Sequence, residues 1–412
     1  MHNFQTVTQW LDYLESIHAT EIDMGLARIS KVAKRIGIDL SASQVITVAG
    51  TNGKGTTCAF IENALLAEGK SVAVYSSPHI NVFNERLRIN QELVQDPPLI
   101  AAFETIEQAR KEISLTYYEY TTLAALIIIQ AVKPDVVILE VGLGGRLDAT
   151  NIIDSDIAVI TSIDLDHQAF LGNDRTSIGL EKAGIIRANK PVVIGEPNLP
   201  EKVLQHCQEF GALVCLRERD FSIREDTNSQ WCWRYGAVAL SALTHPFIPR
   251  DNVATALAVL AHTGIELSAH KVNQWIVKTQ VEGRTEVIKQ SPLVVLDVGH
   301  NPHAARYLND FVKRQNKAKV LAVCGMLVDK DIKSVLREML DCIDHWYVGS
   351  LPTPRGASST VMAQTLADLG KSCNHFDNIS EAYKIALEHA NNNDMILVFG
   401  SFFTVAEVKK SQ

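Results

Sequence analysis

Apolar residues occur in short β-branched runs that alternate with segments of helical periodicity. In the first part of the chain these runs are Val45–Ala49, Val72–Tyr75, Val136–Glu140, Ile157–Thr161 and Val192–Ile194. Continuous apolar runs of this length are typical of strands buried on both faces of a parallel sheet. The pattern therefore predicts an α/β domain with a mostly parallel sheet.

The segments between the runs have their own signals. Thr56–Ala67 carries apolar side chains at helical spacing, and Gly69 follows as a stop signal, so the first two runs belong to a βαβ unit. Leu123–Val132 is the longest apolar stretch, about half of the ~20 residues that span a bilayer, and predicts a buried helix. Phe221–Leu240 mixes polar and aromatic residues, which predicts an antiparallel hairpin at the edge of the sheet.

A second alternating series begins near Leu293 and predicts a separate, smaller Rossmann-like α/β domain. The predicted strands are Leu293–Leu296, Val320–Val323, His345–Val348 and Met395–Phe399, and the predicted helices are His303–Arg314, Asp331–Met339 and Ile379–His389. The boundary is expected within the polar stretch Gln280–Ser291. We therefore predict a P-loop-type domain over residues 1–285 and a second domain over residues 286–412.

A glycine-rich segment lies between the first predicted strand and its helix, which is the context of a phosphate-binding loop. Its residues are Gly50, Thr51, Asn52, Gly53, Lys54, Gly55, Thr56 and Thr57. Glycines let several backbone N–H groups point at one anion, and the helix N-terminus adds partial positive charge. Lys54 is expected to reach the terminal phosphates, and a hydroxyl of Thr56 or Thr57 the metal.

The loop departs from the common form, in which four residues separate the first glycine from the Gly-Lys pair. Here two residues separate Gly50 from Gly53, and Gly55 delays the hydroxyl by one position. A phosphate loop does not define the reaction. The chain has no Asn-Lys-x-Asp base-reading motif, which disfavours a GTPase and leaves an ATPase open.

Polar residues follow two of the predicted strands. Glu140 ends an apolar strand, and His167 closes a polar segment after the strand Ile157–Thr161. Ligands bind at the carboxyl ends of strands in open α/β sheets, and Mg²⁺ prefers hard oxygen ligands. Glu140 is therefore a candidate metal ligand, and the position of His167 makes it a second candidate.

Composition narrows the class of partner. The net charge of -8 gives no general attraction for nucleic acid or anionic membranes. No secretory signal is visible, and the seven cysteines are scattered without a C-x-x-C pair. We expect a cytoplasmic protein without a disulfide framework or a zinc site.

Taken together, the motifs resemble the folylpolyglutamate synthase and dihydrofolate synthase family of the Mur ligase group, above all its bifunctional bacterial members. The matching stretches span most of the chain: residues 49–57, 75–90 (YSSPHINVFNERLRIN), 115–125 (LTYYEYTTLAA), 139–151 (LEVGLGGRLDATN), 161–172 (TSIDLDHQAFLG), 181–186 (EKAGII), 283–284, 297–304 (DVGHNPHA), 324–331 and 400–403.

The resemblance implies further site residues. Ser77, Glu140 and His167 match metal ligands, and Lys182 matches a lysine that is carbamylated in this group, which would convert a cation into an oxygen ligand. A second set of residues matches positions that bind or close on ATP: Asn252, Arg284, Asp297 and His300.

For the pterin acceptor, the resemblance implies Tyr118 and Asp148. Tyr118 stands where the family often has Phe, and its ring could still stack on a pterin. The sequence around Asp297 reads Asp-Val-Gly-His-Asn where the family often has Asp-Gly-Ala-His-Asn, so the local backbone freedom differs.

The resemblance implies an ATP- and Mg²⁺-dependent ligase, with room for a monovalent cation such as K⁺. Its expected substrates are dihydropteroate, reduced folates and L-glutamate, and we expect a monomer without nucleic-acid or membrane partners. Catalysis would fall to Lys54, His167, Lys182 and Arg284. A cell-wall Mur ligase and a nucleotide-binding switch or ATPase that makes no product remain the alternatives.

Overall fold

The computed structural model describes residues 4–20, 22–225 and 230–411. The chain folds as two units, Met1–Thr279 and Gln280–Gln412. The second unit thus begins at the first residue of the polar stretch in which the sequence predicts a boundary. The exact boundary after residue 285 stays a prediction.

The first unit contains an eight-stranded sheet with the order β4-β3-β2-β5-β1-β6-β7-β8. Its strands are β1 (Gln44–Ala49), β2 (Val72–Tyr75), β3 (Leu87–Ile89), β4 (Glu92–Leu93), β5 (Val136–Glu140), β6 (Ile157–Ile160), β7 (Pro191–Ile194) and β8 (Leu213–Leu216). Neighbours from β2 to β8 pair in parallel, whereas β3 and β4 are antiparallel. The mostly parallel sheet is as predicted.

The α-helices of this unit are α1 (Val7–Ser16), α2 (Ala27–Ile36), α3 (Lys54–Ala67), α4 (Asp96–Arg110), α5 (Tyr117–Val132), α6 (Gln168–Leu171), α7 (Arg175–Ala183), α8 (Glu201–Glu209), α9 (Arg250–Ala261) and α10 (Ala269–Lys278). Short 3-10 helices span Phe83–Arg86 and Ala149–Ile152. The apolar stretch Leu123–Val132 lies in α5, whose interior is buried, and Thr116 caps this helix with Glu119 in a capping box.

The segment Phe221–Leu240 pairs in antiparallel fashion, but its position differs from the prediction. It forms a three-stranded sheet of its own, from β9 (Phe221–Glu225), β10 (Trp231–Tyr235) and β11 (Val238–Leu243), instead of extending the large sheet. Trp231 and Trp233 are fully buried. The Trp233 indole N–H donates to Ala254 O at 3.1 Å, so this small sheet packs on α9.

The second unit has a six-stranded sheet with the order β12-β13-β17-β14-β15-β16, in which only β12 is antiparallel. Its strands are β12 (Glu286–Gln290), β13 (Leu293–Asp297), β14 (Val320–Cys324), β15 (His345–Gly349), β16 (Asn374–Phe376) and β17 (Met395–Phe399), and its helices are α11 (Pro302–Arg314), α12 (Ile332–Met339), α13 (Ser359–Asp368), α14 (Ile379–His389) and α15 (Phe402–Lys410). Four of the six strands were predicted, and β12 and β16 were missed because most of their residues are exposed and lack a continuous apolar run.

Within the described part of the chain, no helix is long and apolar enough to cross a membrane. The seven cysteines are free thiols, and four of them are buried.

Candidate active site

The register of the large sheet brings the ends of four strands to one level. Tyr75 pairs with Leu139, Val48 with Glu140, and Ala49 with Ile160. The residues that follow β1, β2, β5 and β6 therefore emerge at one edge, the carboxyl edge of a parallel sheet where ligands bind. This edge holds the phosphate loop and the predicted metal ligands Ser77, Glu140 and His167.

The phosphate loop runs from Gly50 into α3 and is held in shape by the segment after β6. Thr161 Oγ1 donates to Asn52 O at 2.6 Å, and Asn52 N donates to Ser162 Oγ at 3.0 Å. Gly53 has a φ of 86°, a conformation that other residues rarely adopt. Lys54 Nζ donates to Gly50 O at 3.0 Å, so its ammonium folds back across the loop.

Asn252, from α9, contacts the same loop. Its side-chain Nδ2 donates to Thr56 Oγ1 at 2.8 Å. A Cβ at Gly53 would lie 2.4 Å from Asn252 Oδ1, so glycine is required here by space as well as by φ. The structure therefore brings the predicted Asn252 to the phosphate loop from a helix far along the chain.

Glu140 ends β5 and is buried, facing the first turn of α3. A Cβ at Gly55 would lie 3.8 Å from both carboxylate oxygens of Glu140. In the same helix, the Thr57 hydroxyl is buried and has no hydrogen-bond partner within the described residues. A carboxylate and an unpartnered hydroxyl are hard oxygen donors, which fits the ligand preference of Mg²⁺.

No group of three His, Cys, Asp or Glu side chains that could hold a metal ion occurs within residues 4–20, 22–225 and 230–411. The predicted ligand set is therefore incomplete with carboxylates and histidine alone. It depends on hydroxyls such as Ser77 and on a modified Lys182. Ser77 follows β2, and its side chain lies near the buried Tyr118 hydroxyl.

His167 lies in a segment that is tied to the phosphate loop. Thr51 Oγ1 donates to Asp164 O at 3.0 Å, and Asp164 N donates to Thr51 Oγ1 at 3.0 Å. His167 has a φ of 49° and about one third of its side chain is exposed. Its ring Nε2 lies 4.0 Å from Asp166 Oδ1.

Lys182 lies near the end of α7 and is 3% exposed. Burial and, to a smaller extent, the positive charge of Lys54 lower the pKa of Lys182 to about 7, and the Asp166 carboxylate partly opposes both effects. A Cβ at Gly145 would lie 3.0 Å from Lys182 Cα, so the glycine loop after β5 packs directly against this helix end. The Lys182 amine is thus influenced by the charges of both Lys54 and Asp166.

Tyr118 and Asp148 surround the same end of β5. The Tyr118 ring stacks on Tyr75 at 6.2 Å, and a Cβ at Gly142 would lie 2.7 Å from Tyr118 Cζ. Asp148 is buried, and its carboxylate accepts hydrogen bonds from the backbone N–H groups of Gly142 and Leu143 and from the N–H and hydroxyl of Thr150.

Asp148 therefore shapes its own turn. Burial raises the pKa of Asp148, and these hydrogen bonds oppose the increase. A contact of either Tyr118 or Asp148 with a pterin stays a prediction.

In the second unit, Asp297 is buried at the end of β13. Its oxygens accept hydrogen bonds from Thr285 N at 2.8 Å and Gly299 N at 2.7 Å. Burial raises the pKa of Asp297, and the nearby Arg284 guanidinium opposes this. Arg284 also lies 5.3 Å from the Phe402 ring, and His300 Nδ1 lies 2.9 Å from Val298 O. These three predicted ATP-site residues are therefore adjacent within this unit.

The sequence analysis assigned no role to several residues that shape the site. Thr161 and Ser162 hold the phosphate loop, and Asp166 affects the pKa of Lys182. Arg88 pairs with the buried Glu62 at 2.9 Å and donates to Ser76 Oγ at 3.4 Å, beside the predicted ligand Ser77. For Thr161, Ser162 and Asp166, the polar run after β6 was a usable sequence signal. No sequence signal indicated the role of Arg88.

Residues 48–261 match the Mur ligase middle domain, and residues 283–402 match the Mur ligase glutamate ligase domain. The fold and the site therefore define a ligase of the Mur type. A dihydrofolate synthase/folylpolyglutamate synthase of Escherichia coli is 47% identical over 405 residues, which cover 98% of this chain and 94% of the relative. The chain belongs to the dihydrofolate synthase/folylpolyglutamate synthase family.

Two solved structures agree with this fold over nearly the full length of the chain. Escherichia coli FolC in complex with DHPP and ADP superposes with a TM-score of 0.94 and 46% identity, covering 98% of this chain and 97% of that chain. A bifunctional folylpolyglutamate synthase/dihydrofolate synthase with Mn, AMPPNP and L-glutamate bound has a TM-score of 0.92 and 44% identity, covering 99% and 98%. These names favour the folate-type ligase over the cell-wall alternative.

Proposed function

We propose that this chain is an ATP-dependent ligase that couples L-glutamate to the carboxylate of dihydropteroate, and also to that of reduced folates. The observation that carries the proposal is the strand edge of the first unit. There the phosphate loop with Lys54, the buried Glu140 and the buried Lys182 converge, in a chain that matches bifunctional relatives over nearly its whole length.

The reaction follows from the weak electrophilicity of a carboxylate. An oxygen of the acceptor carboxylate attacks the γ-phosphorus of ATP, the bond to the β-phosphate oxygen breaks, and ADP leaves. The glutamate amine then attacks the acyl carbon, loses a proton, and inorganic phosphate leaves with the former carboxylate oxygen. The products are an amide, ADP and phosphate.

The protein contributes position and charge to these steps. Backbone N–H groups of the phosphate loop and Lys54 would hold the phosphates and neutralise the charge that develops during transfer. Arg284 would add a second cation, and Asp297 would keep the Thr285 and Gly299 backbone in place beside it. Aligning the two reactants contributes up to ~7–11 kcal/mol in favourable cases.

The metal and the modified lysine belong to the same proposal. Glu140, His167, Ser77 and a carbamylated Lys182 would hold Mg²⁺, which supplies neutralising charge to the phosphates when bound. The residues fit this group because the Glu140 carboxylate lies beside Gly55, because the buried Thr57 hydroxyl has no partner among the described residues, and because Lys182 has the lowered pKa that carbamylation requires. Tyr118 would stack on the pterin of the acceptor.

The proposal is tested with pure protein, ATP, Mg²⁺, L-glutamate and either dihydropteroate or tetrahydrofolate, with ADP release and product mass as readouts. We expect one glutamate to be added to each acceptor for each ADP formed. Absence of a glutamylated product with every folate-type acceptor would overturn it. ATP hydrolysis independent of glutamate and acceptor would favour the nucleotide switch, and turnover of a UDP-muramoyl acceptor would favour the cell-wall ligase.

Glu140→Gln tests the metal site within this reaction. The substitution removes a charge and keeps the shape, so the apparent Mg²⁺ requirement should rise and turnover should fall, with little change in folding. Unchanged activity and Mg²⁺ dependence would contradict the assignment. The cytoplasmic location and the monomeric state stay proposals, which cell fractionation and light scattering would test.

A further inference from the structure

We propose that Glu196 and Arg175 form a clamp on the backbone of Ile163, and that this clamp positions the segment carrying Asp166 and His167 against the phosphate loop. Neither residue was singled out by the sequence. The inference rests on the proposed function for the role of His167, but the contacts that define the clamp are independent of it.

The clamp holds both backbone polar groups of one residue. The Ile163 N–H donates to Glu196 Oε2 at 3.0 Å, and Arg175 Nε donates to Ile163 O at 2.9 Å. Glu196 follows β7, and Arg175 is the first residue of α7. The two peptide units that flank Ile163 are therefore each held by a side chain from a different part of the fold.

The two clamping side chains also bind each other. Arg175 Nη2 lies 3.0 Å from Glu196 Oε1, and that oxygen also accepts the Asn198 N–H at 3.0 Å. Arg175 Nη2 donates to Asn198 O at 3.1 Å. Glu196 is 8% exposed, so its carboxylate receives three donors in a buried position. Charge-assisted hydrogen bonds of this kind are stronger than neutral ones.

Ile163 occupies the point where the chain leaves the sheet. β6 ends at Ile160, three residues before Ile163, and neither neighbouring strand, β1 or β7, pairs with Ile163. The Ile163 side chain is 1% exposed and packs beside Gly179 of α7, where a Cβ would lie 3.2 Å from Ile163 Cδ1. Backbone and side chain of Ile163 are thus both anchored.

Asp164, the residue after Ile163, links this anchored position to the phosphate loop. Asp164 exchanges two hydrogen bonds with the Thr51 side chain in the phosphate loop, each 3.0 Å long. Asp166 and His167 follow within three positions. The clamp therefore sets the distance between the phosphate loop and the predicted ligand His167. Residues that orient metal ligands in this indirect way typically change metal affinity or activity by about 10–100-fold.

Two variants test the clamp, each with a metal-free readout and a metal-binding readout. In Glu196→Gln, an amide NH₂ replaces one carboxylate oxygen and faces an N–H donor, so one bond of the clamp is lost. In Arg175→Met, the bond to Ile163 O is lost. Hydrogen exchange of the backbone amides of residues 163–167 measures how firmly this segment is held in metal-free protein. Titration with Mn²⁺ in the presence of AMPPNP, followed by EPR, measures the metal affinity of the site without turnover.

We expect faster exchange confined to residues 163–167, and Mn²⁺ affinity lowered by about 10–100-fold, in both variants. Arg110→Met is the matched control, because Arg110 forms a comparable ion pair with Glu107 in α4 at 2.6 Å. It should leave both readouts at wild-type values. Arg175→Lys keeps the charge without the forked geometry, so its values should fall between those of wild type and Arg175→Met.

Wild-type exchange rates and Mn²⁺ affinity in Glu196→Gln and Arg175→Met would overturn the clamp. Equal changes in Arg110→Met would also overturn it, because the effect would then be general destabilisation. If Arg175→Met does not fold, the same two measurements on Arg175→Lys and Glu196→Gln test the clamp. Because neither readout needs a product, failure of the ligase assay with wild-type enzyme would count against the proposed function alone.

Discussion

The Asn252 side chain donates a hydrogen bond of 2.8 Å to Thr56 Oγ1 across 196 positions of sequence. This contact links α9 to the first turn of the helix that follows the phosphate loop. The same side chain occupies the space that a Cβ at Gly53 would need. Asn252 therefore shapes the loop as well as matching an ATP-site position of the family.

Asn252→Ala should weaken nucleotide binding by roughly 3–10-fold, since it removes one hydrogen bond worth about 0.5–1.5 kcal/mol. Gly53→Ala should weaken it further, because a φ of 86° is strained for alanine. Titration calorimetry with AMPPNP measures both effects. The double variant should recover only part of the Gly53→Ala loss, and full recovery would show that space alone requires the glycine.

Thr57→Val should have opposite effects on stability and on Mg²⁺-dependent activity. The hydroxyl is buried without a partner in the described part of the chain, so its removal should raise the free energy of unfolding by about 1 kcal/mol in metal-free protein. Mg²⁺-dependent turnover should fall about tenfold or more if this hydroxyl approaches the metal. Chemical denaturation and Mg²⁺ titration of the rate measure the two quantities.

Thr47→Val is the matched control for Thr57→Val. The Thr47 hydroxyl in β1 is likewise buried without a partner among the described residues. Thr47→Val should raise the free energy of unfolding by a similar amount and leave the Mg²⁺ dependence of turnover unchanged. Equal turnover in the two variants would remove Thr57 from the metal site.

Carbamylation of Lys182 should depend on pH in a defined direction. Only the neutral amine reacts with CO₂, and the pKa of Lys182 is lowered to about 7, so the reactive fraction rises as the pH increases through that value. At the same concentration of dissolved CO₂, enzyme stripped of CO₂ at low pH should regain activity faster at pH 8 than at pH 6. A carbamate signal from ¹³C-bicarbonate by NMR is the direct measurement.

Lys182→Ala should have low activity, and a short carboxylic acid should partly restore it by replacing the carbamate oxygens. Lys190→Ala is the control, because Lys190 is a surface residue paired with Asp156 and its pKa is raised. Near-normal activity of Lys182→Ala, together with no carbamate signal in wild type, would rule out the modification.

Gly142→Ala should impair the acceptor site without affecting nucleotide binding. Its Cβ would lie 2.7 Å from Tyr118 Cζ, so the Tyr118 ring must shift. We expect the KM for the pterin acceptor to rise about tenfold or more, while AMPPNP affinity is unchanged. Tyr118→Phe keeps the ring and removes only the buried hydroxyl, so its KM should stay near the wild-type value. If Tyr118→Phe raised this KM more than Gly142→Ala did, displacement of the ring would be excluded as the cause of the change in KM.

The sequence was sufficient wherever the signal is local. The phosphate loop, the main parallel strands and the carboxylate at the end of Val136–Glu140 were all predicted, because glycines, apolar runs and strand-end acids have meaning within a few residues. The two-unit organisation also followed from a second alternating series. The partly exposed strands β12 and β16 were missed because their residues lack that apolar pattern.

Tertiary structure decided what depends on residues that are distant along the chain. The lowered pKa of Lys182 arises from burial and from Lys54, 128 positions away, and neither is visible in the local sequence Glu181–Ile186. The hydrogen bond from Asn252 to Thr56 and the clamp on Ile163 likewise join residues that are distant in the sequence. Sequence determines which groups are available, whereas desolvation, charge proximity and hydrogen-bond geometry exist only once the sheet has brought those groups to one edge.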